Sequence, residues 1–332
     1  MKYLIISASI GEGHVKAAEA LTKRLKNKGN KTKHIDILNY INNSTGSFFS
    51  KTYFFLVTKT PFLWRILYKL TDNNFSKKLT AWLVRIFIKK DQIKSILGEY
   101  SPDKIICTHF LPSYITSSSV DITIPVTTLI TDYGVHYLWL AEAKEYRVAT
   151  QKLKEDLIKR GIEEKKIKIK KLPVDPTFDK KGKKKKLKEK LDLPNDPLVL
   201  LLSGGQGMLD TTEIISNLFK LQEQFTLVAI AGKNENLKNK LKQKQAPKNI
   251  TYKVLGWVEQ IDKFMKSAEL VISKPGGMTV TECVKTNTPL LGINPIPGQE
   301  ESNLNYILEN ESGYKAETLK DINKKTRELI TD

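Results

Sequence analysis

Cysteine is nearly missing from the 332 residues. Only Cys107 and Cys283 occur, too few for a disulfide scaffold or a Cys-based zinc site. No apolar run reaches the ~18 residues that a membrane-spanning helix needs. The run 3–10 follows a single Lys and stops at Gly11-Glu12-Gly13, which is too short and wrongly flanked for a signal peptide. Arginine is scarce too, 6 residues against 49 lysines. A nucleic-acid reader would draw on Arg for bidentate base and phosphate contacts. The formal charge of +19 therefore argues for diffuse attraction to an anionic surface, or for a plain compositional bias towards Lys. No nucleic-acid partner is expected. What is present reads as globular: 40% hydrophobic and 27% charged residues exclude wholesale disorder. At roughly 150 residues per domain, the length predicts two domains, each with its own core.

Short β-branched runs alternate with longer helical patterns, as in parallel α/β construction. Strands are predicted at 3–7, 32–37, 104–107, 125–130 and 146–149, then at 198–202, 226–230, 250–255, 270–272 and 290–292. Helices are predicted at 14–28 and 151–160, then at 211–221, 237–245, 260–267, 278–285 and 300–309. Between the two series lie four prolines and the lysine run 180–190, a linker or exposed crossover by composition. The division predicted is 1–175, a basic linker 176–197, and 198–332. Two Rossmann-like domains facing across a cleft is the simplest architecture that fits.

One stretch breaks the pattern. Residues 51–90 hold nine aromatics and nine basic residues but one acid, Asp72, and no clear strand. Trp64, Leu67, Tyr68 and Leu70 recur at helical spacing, as do Leu79, Trp82, Leu83 and Ile86, with Lys69, Lys77 and Lys78 between them. An interfacial amphipathic segment has this composition, with aromatics at headgroup depth and cations meeting anionic lipid. A pair of core helices with solvated lysines is the other reading.

Two glycine-rich turns follow predicted strands. The first, Gly11-Glu12-Gly13-His14, leads into a helix. A dinucleotide site would want a small residue where Lys16 stands, although Asp36 ends the second strand as such a site requires. His14 carries a titratable imidazole suited to deprotonating a substrate hydroxyl; a solitary His is also often a satisfied core residue. The second turn, Ser203-Gly204-Gly205-Gln206-Gly207, either exposes backbone N–H groups to an anion such as a diphosphate or is a plain tight turn. Stronger is the run Ser273-Lys274-Pro275-Gly276-Gly277-Met278-Thr279-Val280-Thr281-Glu282-Cys283. Pro275 and the glycines end a strand and open a helix, whose first N–H donors and dipole favour a phosphate. Thr279 and Glu282, three apart, share a helical face, and a carboxylate there can accept both hydroxyls of a ribose. Gln299 and Glu300 offer acceptors for sugar hydroxyls at the start of another helix.

With these pieces the sequence resembles glycosyltransferase family 28 of the GT-B fold, in particular the bacterial diacylglycerol glucosyltransferases and plant monogalactosyldiacylglycerol synthases. The matching residues are Gly11–His14, Thr131-Asp132-Tyr133 with His136 and Trp139, Pro173-Val174-Asp175-Pro176, Gly204–Gly207, Gly256-Trp257-Val258, 274–282 and 297–303. They span nearly the whole chain in family order. The resemblance implies an α/β, GT-B protein that binds its acceptor on the N-terminal domain and a UDP-hexose on the C-terminal one. It implies uracil at Trp257 and Val258 and ribose at Glu282. Gly205, Gln206, Gly277, Met278 and Thr279 would cradle the diphosphate, and Gln299, Glu300 and Asn303 the donor sugar. His14 becomes the general base, with Asp132 in the cleft near the acceptor. Gly13 and His136 fall on the acceptor side, with Trp64, Lys69, Lys77, Lys78 and Trp82 on the membrane side. Transfer would invert the anomeric centre in one in-line displacement onto diacylglycerol or a related lipid. No metal or cofactor is implied, and the chain would be cytoplasmic and peripheral on the inner face of the cell membrane. The related peptidoglycan N-acetylglucosaminyltransferase and a non-hydrolysing UDP-sugar epimerase share the fold; neither accounts for the 51–90 insert. Residues 133–136 are looser than the plant pattern. Relatives commonly carry further C-terminal helices, so the chain is expected to be short or truncated.

Overall fold

The computed structural model describes residues 1–40, 52, 55–57, 59–87, 91–117, 123–207, 209 and 211–331. The chain forms two compact units, Met1–Pro176 with Pro297–Ser302, and Thr177–Ile296 with Asn303–Asp332.

The first unit is built on a sheet of β1 (Lys2–Ser7), β2 (Lys31–Asp36), β3 (Lys104–Cys107), β4 (Val126–Leu129), β5 (Glu145–Val148) and β6 (Ile167–Ile169), in the order β2-β1-β3-β4-β5-β6. Every pairing is parallel. Alternate residues serve opposite faces, as the period of two requires. Leu4, Ile6, Ile105 and Cys107 share one core cluster, whereas Ile5, Ile106 and Leu129 share another. Helix Glu12–Lys26 buries Ala17, Ala18, Ala20 and Leu21, and Ala18 and Leu21 belong to that second cluster. Burial on both faces explains why the inner strands β1 and β3 carry the unbroken apolar runs 4–6 and 105–107.

The second unit holds β7 (Leu198–Leu202), β8 (Phe225–Ile230), β9 (Ile250–Leu255), β10 (Leu270–Ser273), β11 (Leu290–Gly292) and β12 (Gly313–Lys315), ordered β12-β11-β10-β7-β8-β9. This sheet is also parallel throughout. Strand order reverses between β1 and β3 in the first sheet and between β7 and β10 in the second. In open parallel sheets, ligands bind beyond the carboxyl ends of the strands at such a reversal.

The 51–90 insert contains helices Pro61–Thr71 and Asn74–Phe87; residues 51, 53, 54, 58 and 88–90 lie outside the described residues. The lysine run departs from the linker expected of it. Residues Lys184–Lys190 form a helix that buries Leu187 and Lys188. The Lys188 ammonium donates to the Asp196 carbonyl at 2.7 Å and sits 3.4 Å from Glu269, so this lysine ties its helix to the segments that lead into β7 and β10.

Candidate active site

The reversal point of the first sheet gathers four polar side chains from three loops. Ser7 ends β1, and the chain passes through Gly11 into the helix whose third residue is His14. Thr108 and His109 follow β3, and Thr131 follows β4. The His14 Nδ1 lies 2.9 Å from the Thr108 carbonyl and 2.8 Å from Thr131 Oγ1. A carbonyl only accepts, so Nδ1 carries the proton and Nε2 the lone pair. Thr108 Oγ1 returns a hydrogen bond to the His14 carbonyl at 2.9 Å, which clamps the residue from both sides. Burial lowers the His14 pKa, while Asp132 and the Thr108 carbonyl oppose that shift. The result is an oriented, neutral imidazole with a carboxylate to stabilise its protonated form.

Thr108 and His109 went unnoticed in the sequence. The His109 ring meets His14 edge-on at 4.6 Å and lies 6.2 Å from Trp139. Its Nδ1 accepts the Leu111 N–H at 3.2 Å. Burial, then the neighbouring His14, keep it well below the ordinary imidazole range. Only the strand order brings residues 94 positions apart into contact, and composition carries no trace of that.

His136, expected on the acceptor side, is buried and has both ring nitrogens engaged. Nδ1 accepts from Leu138 N at 3.2 Å, and Nε2 donates to the Tyr68 carbonyl at 3.0 Å. It ties helix Pro61–Thr71 to the loop after β4. Trp64 requires a correction: it faces inward, donating from Nε1 to the Pro297 carbonyl at 3.2 Å. The outward face of that helix is Phe62, Leu63, Ile66 and Leu70 instead. Trp82 is 55% exposed and Lys69 and Lys78 are exposed, while Lys77 is half-buried. Ten of the sixteen exposed large apolar side chains among the described residues fall between Phe55 and Ile86.

At the reversal point of the second sheet, two glycine turns follow adjacent strands. Gly204–Gly207 follows β7, and its Gly205 carbonyl accepts from Lys233 N at 3.0 Å. Gly232, at φ +63°, abuts the Gly204 and Gly205 carbonyls so closely that any Cβ would collide with them. This close approach is a reason for glycine there. Beyond β10, Gly276 is extended and helix Gly277–Thr286 starts without a side-chain cap, which leaves the N–H groups of Gly277, Met278 and Thr279 as first-turn donors. Glu282, one turn further on, is 7% exposed. Trp257 follows β9, its ring 4.8 Å below the Lys233 ammonium, with Val258 beside it in sequence. Gln299 and Glu300 start helix Gln299–Glu309 within the segment that belongs to the first unit, whereas the buried Asn303 belongs to the second. Among the described residues no group of three or more His, Cys, Asp or Glu side chains is placed to hold a metal ion.

Two parallel Rossmann-like units, each with a glycine turn at its strand reversal, make up the GT-B architecture of nucleotide-sugar glycosyltransferases. Residues 14–174 match the family of monogalactosyldiacylglycerol (MGDG) synthase, and residues 198–322 match the glycosyltransferase family 28 C-terminal domain. A processive diacylglycerol beta-glucosyltransferase of Bacillus subtilis (strain 168) is 30% identical over 92% of this chain and 81% of its own length. Its counterpart in Bacillus cereus (strain B4264) is 28% identical over 100% and 86%. Among solved structures, Acinetobacter baumannii MurG superposes with TM-score 0.60 at 15% identity, covering 99% of this chain and 90% of its own. UDP-GlcNAc 2-epimerase from Neisseria meningitidis gives 0.61 at 14%, over 100% and 92%; at such identities the likeness is one of fold. The chain belongs to glycosyltransferase family 28, in the branch of the monogalactosyldiacylglycerol synthases and diacylglycerol glucosyltransferases.

Proposed function

We propose that this enzyme transfers a hexose from UDP to the free hydroxyl of diacylglycerol, with inversion, at an anionic membrane surface. One observation carries the reading. The unit that presents the exposed apolar helices Pro61–Thr71 and Asn74–Phe87 also holds His14 with its tautomer fixed and its Nε2 lone pair available. A lipid-facing surface and a base for a hydroxyl thus share one unit.

In the proposed step, His14 Nε2 takes the hydroxyl proton as the acceptor oxygen attacks C1 of the hexose from the face opposite UDP. The new C1–O bond forms while the bond from C1 to the phosphate oxygen breaks, and UDP leaves with that electron pair. Asp132 stabilises the imidazolium. The growing charge on the diphosphate is met by the first N–H groups of helix Gly277–Thr286, its dipole and the Gly205-Gln206 turn, so no step is routed through a metal. Glu282 holds the ribose, Trp257 and Val258 the uracil, and Gln299, Glu300 and Asn303 the hexose. The enzyme would work as a peripheral protein on the cytoplasmic face; among the described residues no helix is long and apolar enough to cross a membrane.

The test is to incubate the protein with UDP-glucose, UDP-galactose or UDP-N-acetylglucosamine and vesicles of diacylglycerol with anionic phospholipid, then to weigh the lipid products. A hexosyl-diacylglycerol is expected. Transfer only to a polyprenyl-linked acceptor, or no transfer to lipid at all, would overturn the reading.

A further inference from the structure

The donor-sugar residues Gln299 and Glu300 stand on a short segment, and the structure shows what holds that segment within the first unit. Pro297 offers its carbonyl to the Trp64 indole N–H at 3.2 Å. Gly298, at φ +87°, lies against the ring of Tyr68 so tightly that a Cβ would overlap it. Glu301 divides its carboxylate: Oε2 accepts the Gly298 N–H at 2.9 Å and Oε1 accepts from Arg65 Nη2 at 2.8 Å. The helix that follows then begins, with Ser302 N donating to the Gly298 carbonyl at 3.1 Å. Trp64, Arg65 and Tyr68 are successive contacts along one face of helix Pro61–Thr71, and that helix is itself pinned where His136 reaches the Tyr68 carbonyl. Gln299 and Glu300 fall between the points of attachment.

We propose that Trp64 and Tyr68 are positioning residues for the donor sugar. They fix the backbone of Pro297 and Gly298, and through it the direction in which Gln299 and Glu300 approach the hexose hydroxyls. The inference rests on the proposed UDP-hexose reading and goes beyond it by placing sugar recognition under the control of the same helix whose other face is apolar and exposed. Hydrogen bonds to sugar hydroxyls are directional, so a small displacement of this backbone weakens binding of the hexose but leaves the nucleotide contacts unchanged.

Trp64→Phe keeps the ring and removes the N–H donor. Losing one such bond corresponds to about a fivefold change in an equilibrium. KM for the UDP-hexose should therefore rise about fivefold, while kcat and the dissociation constant of UDP, which lacks the sugar, stay within about twofold. Tyr68→Leu, which frees Gly298, should give the same split by a second route, and circular dichroism with thermal unfolding identifies any variant that has not folded. Unchanged KM in both folded variants overturns the inference. So does a parallel rise in the UDP dissociation constant, which would mark a general disturbance of the site. If the unsubstituted protein transfers no hexose from any UDP-sugar, the parent reading falls; if it does transfer and both variants behave like it, only the inference falls.

Discussion

Asp72 and Arg160 meet in a two-point pair across 88 residues of chain, Nη1 to Oδ1 at 2.8 Å and Nη2 to Oδ2 at 3.0 Å. Tyr137 N also donates to Oδ1 at 2.8 Å, and the guanidinium lies 4.6 Å from the Tyr137 ring centre. Asp72 is the one acid between residues 51 and 90. With it turned inward, the described exposed face of the insert carries charge of one sign only.

That pair gives the first prediction. Burial works against ionising Asp72, but the Arg160 guanidinium and the Tyr137 N–H outweigh it and hold the carboxyl below its usual range. A depressed folded pKa stabilises above the ordinary carboxylate range and loses its effect as pH falls through the folded value. Asp72→Asn should cost about 2 kcal/mol at neutral pH, and the gap to the unsubstituted protein should narrow in acid. Thermal unfolding across pH checks this; a gap that ignores pH would show that the ionised pair is not its source.

His14 and Asp132 make the second. The lowered His14 pKa keeps the base form available below the ordinary 6.5, so kcat/KM should hold its plateau into mildly acidic buffer. His14→Ala should reduce transfer about 1000-fold and leave UDP binding intact. Asp132→Asn removes the charge that favours the imidazolium. Its acid limb should move further down the pH scale, with kcat lower by about 100-fold. Retained turnover in the alanine variant would remove His14 from its role.

For Glu282 the measurement is binding. Glu282→Ala should raise the UDP dissociation constant by at least about tenfold, the range for a hydrogen bond to a charged group. It should also erase any preference for UDP over deoxy-UDP. Equal dissociation constants before and after substitution would count against a ribose contact.

The exposed face of the insert is the fourth. Phe62, Leu70 and Phe75 are 75%, 66% and 73% exposed; replacing all three with Ser should weaken vesicle binding by more than about tenfold. Replacing Lys69, Lys77 and Lys78 with Glu should weaken binding to anionic vesicles at low salt and matter little at high salt. Cosedimentation that responds to neither set would return these helices to ordinary surface.

Most of the parallel core was legible in the sequence, and the reason is physical. Strands buried on both faces, such as Leu198–Leu202, are unbroken apolar runs that stand out between turns. The strands that sequence reading missed are Ile167–Ile169 and Gly313–Lys315, each only three residues long with a single residue buried, so neither leaves an apolar run to read. Helix Leu319–Thr331 was missed because its interior face is only Ile322, Thr326 and Ile330 amid lysines and acids. His14 could be found because a glycine turn announces it. Thr108 and His109 could not, since strand order alone decides that they meet it. The inward turn of Trp64 was equally hidden: helical spacing defines a stripe, and what lies opposite each side of the helix comes from residues more than 200 positions away.

The exposed apolar face on helices Pro61–Thr71 and Asn74–Phe87 governs how the protein behaves where no bilayer is at hand. In plain buffer those side chains face water at a free-energy cost that any other apolar surface can relieve, including the same face of a second copy. The protein should therefore associate with itself as it is concentrated, through contacts unrelated to its chemistry, and disperse when detergent or vesicles take their place. Without a membrane-spanning helix among its described residues, it would still require the handling of a membrane protein.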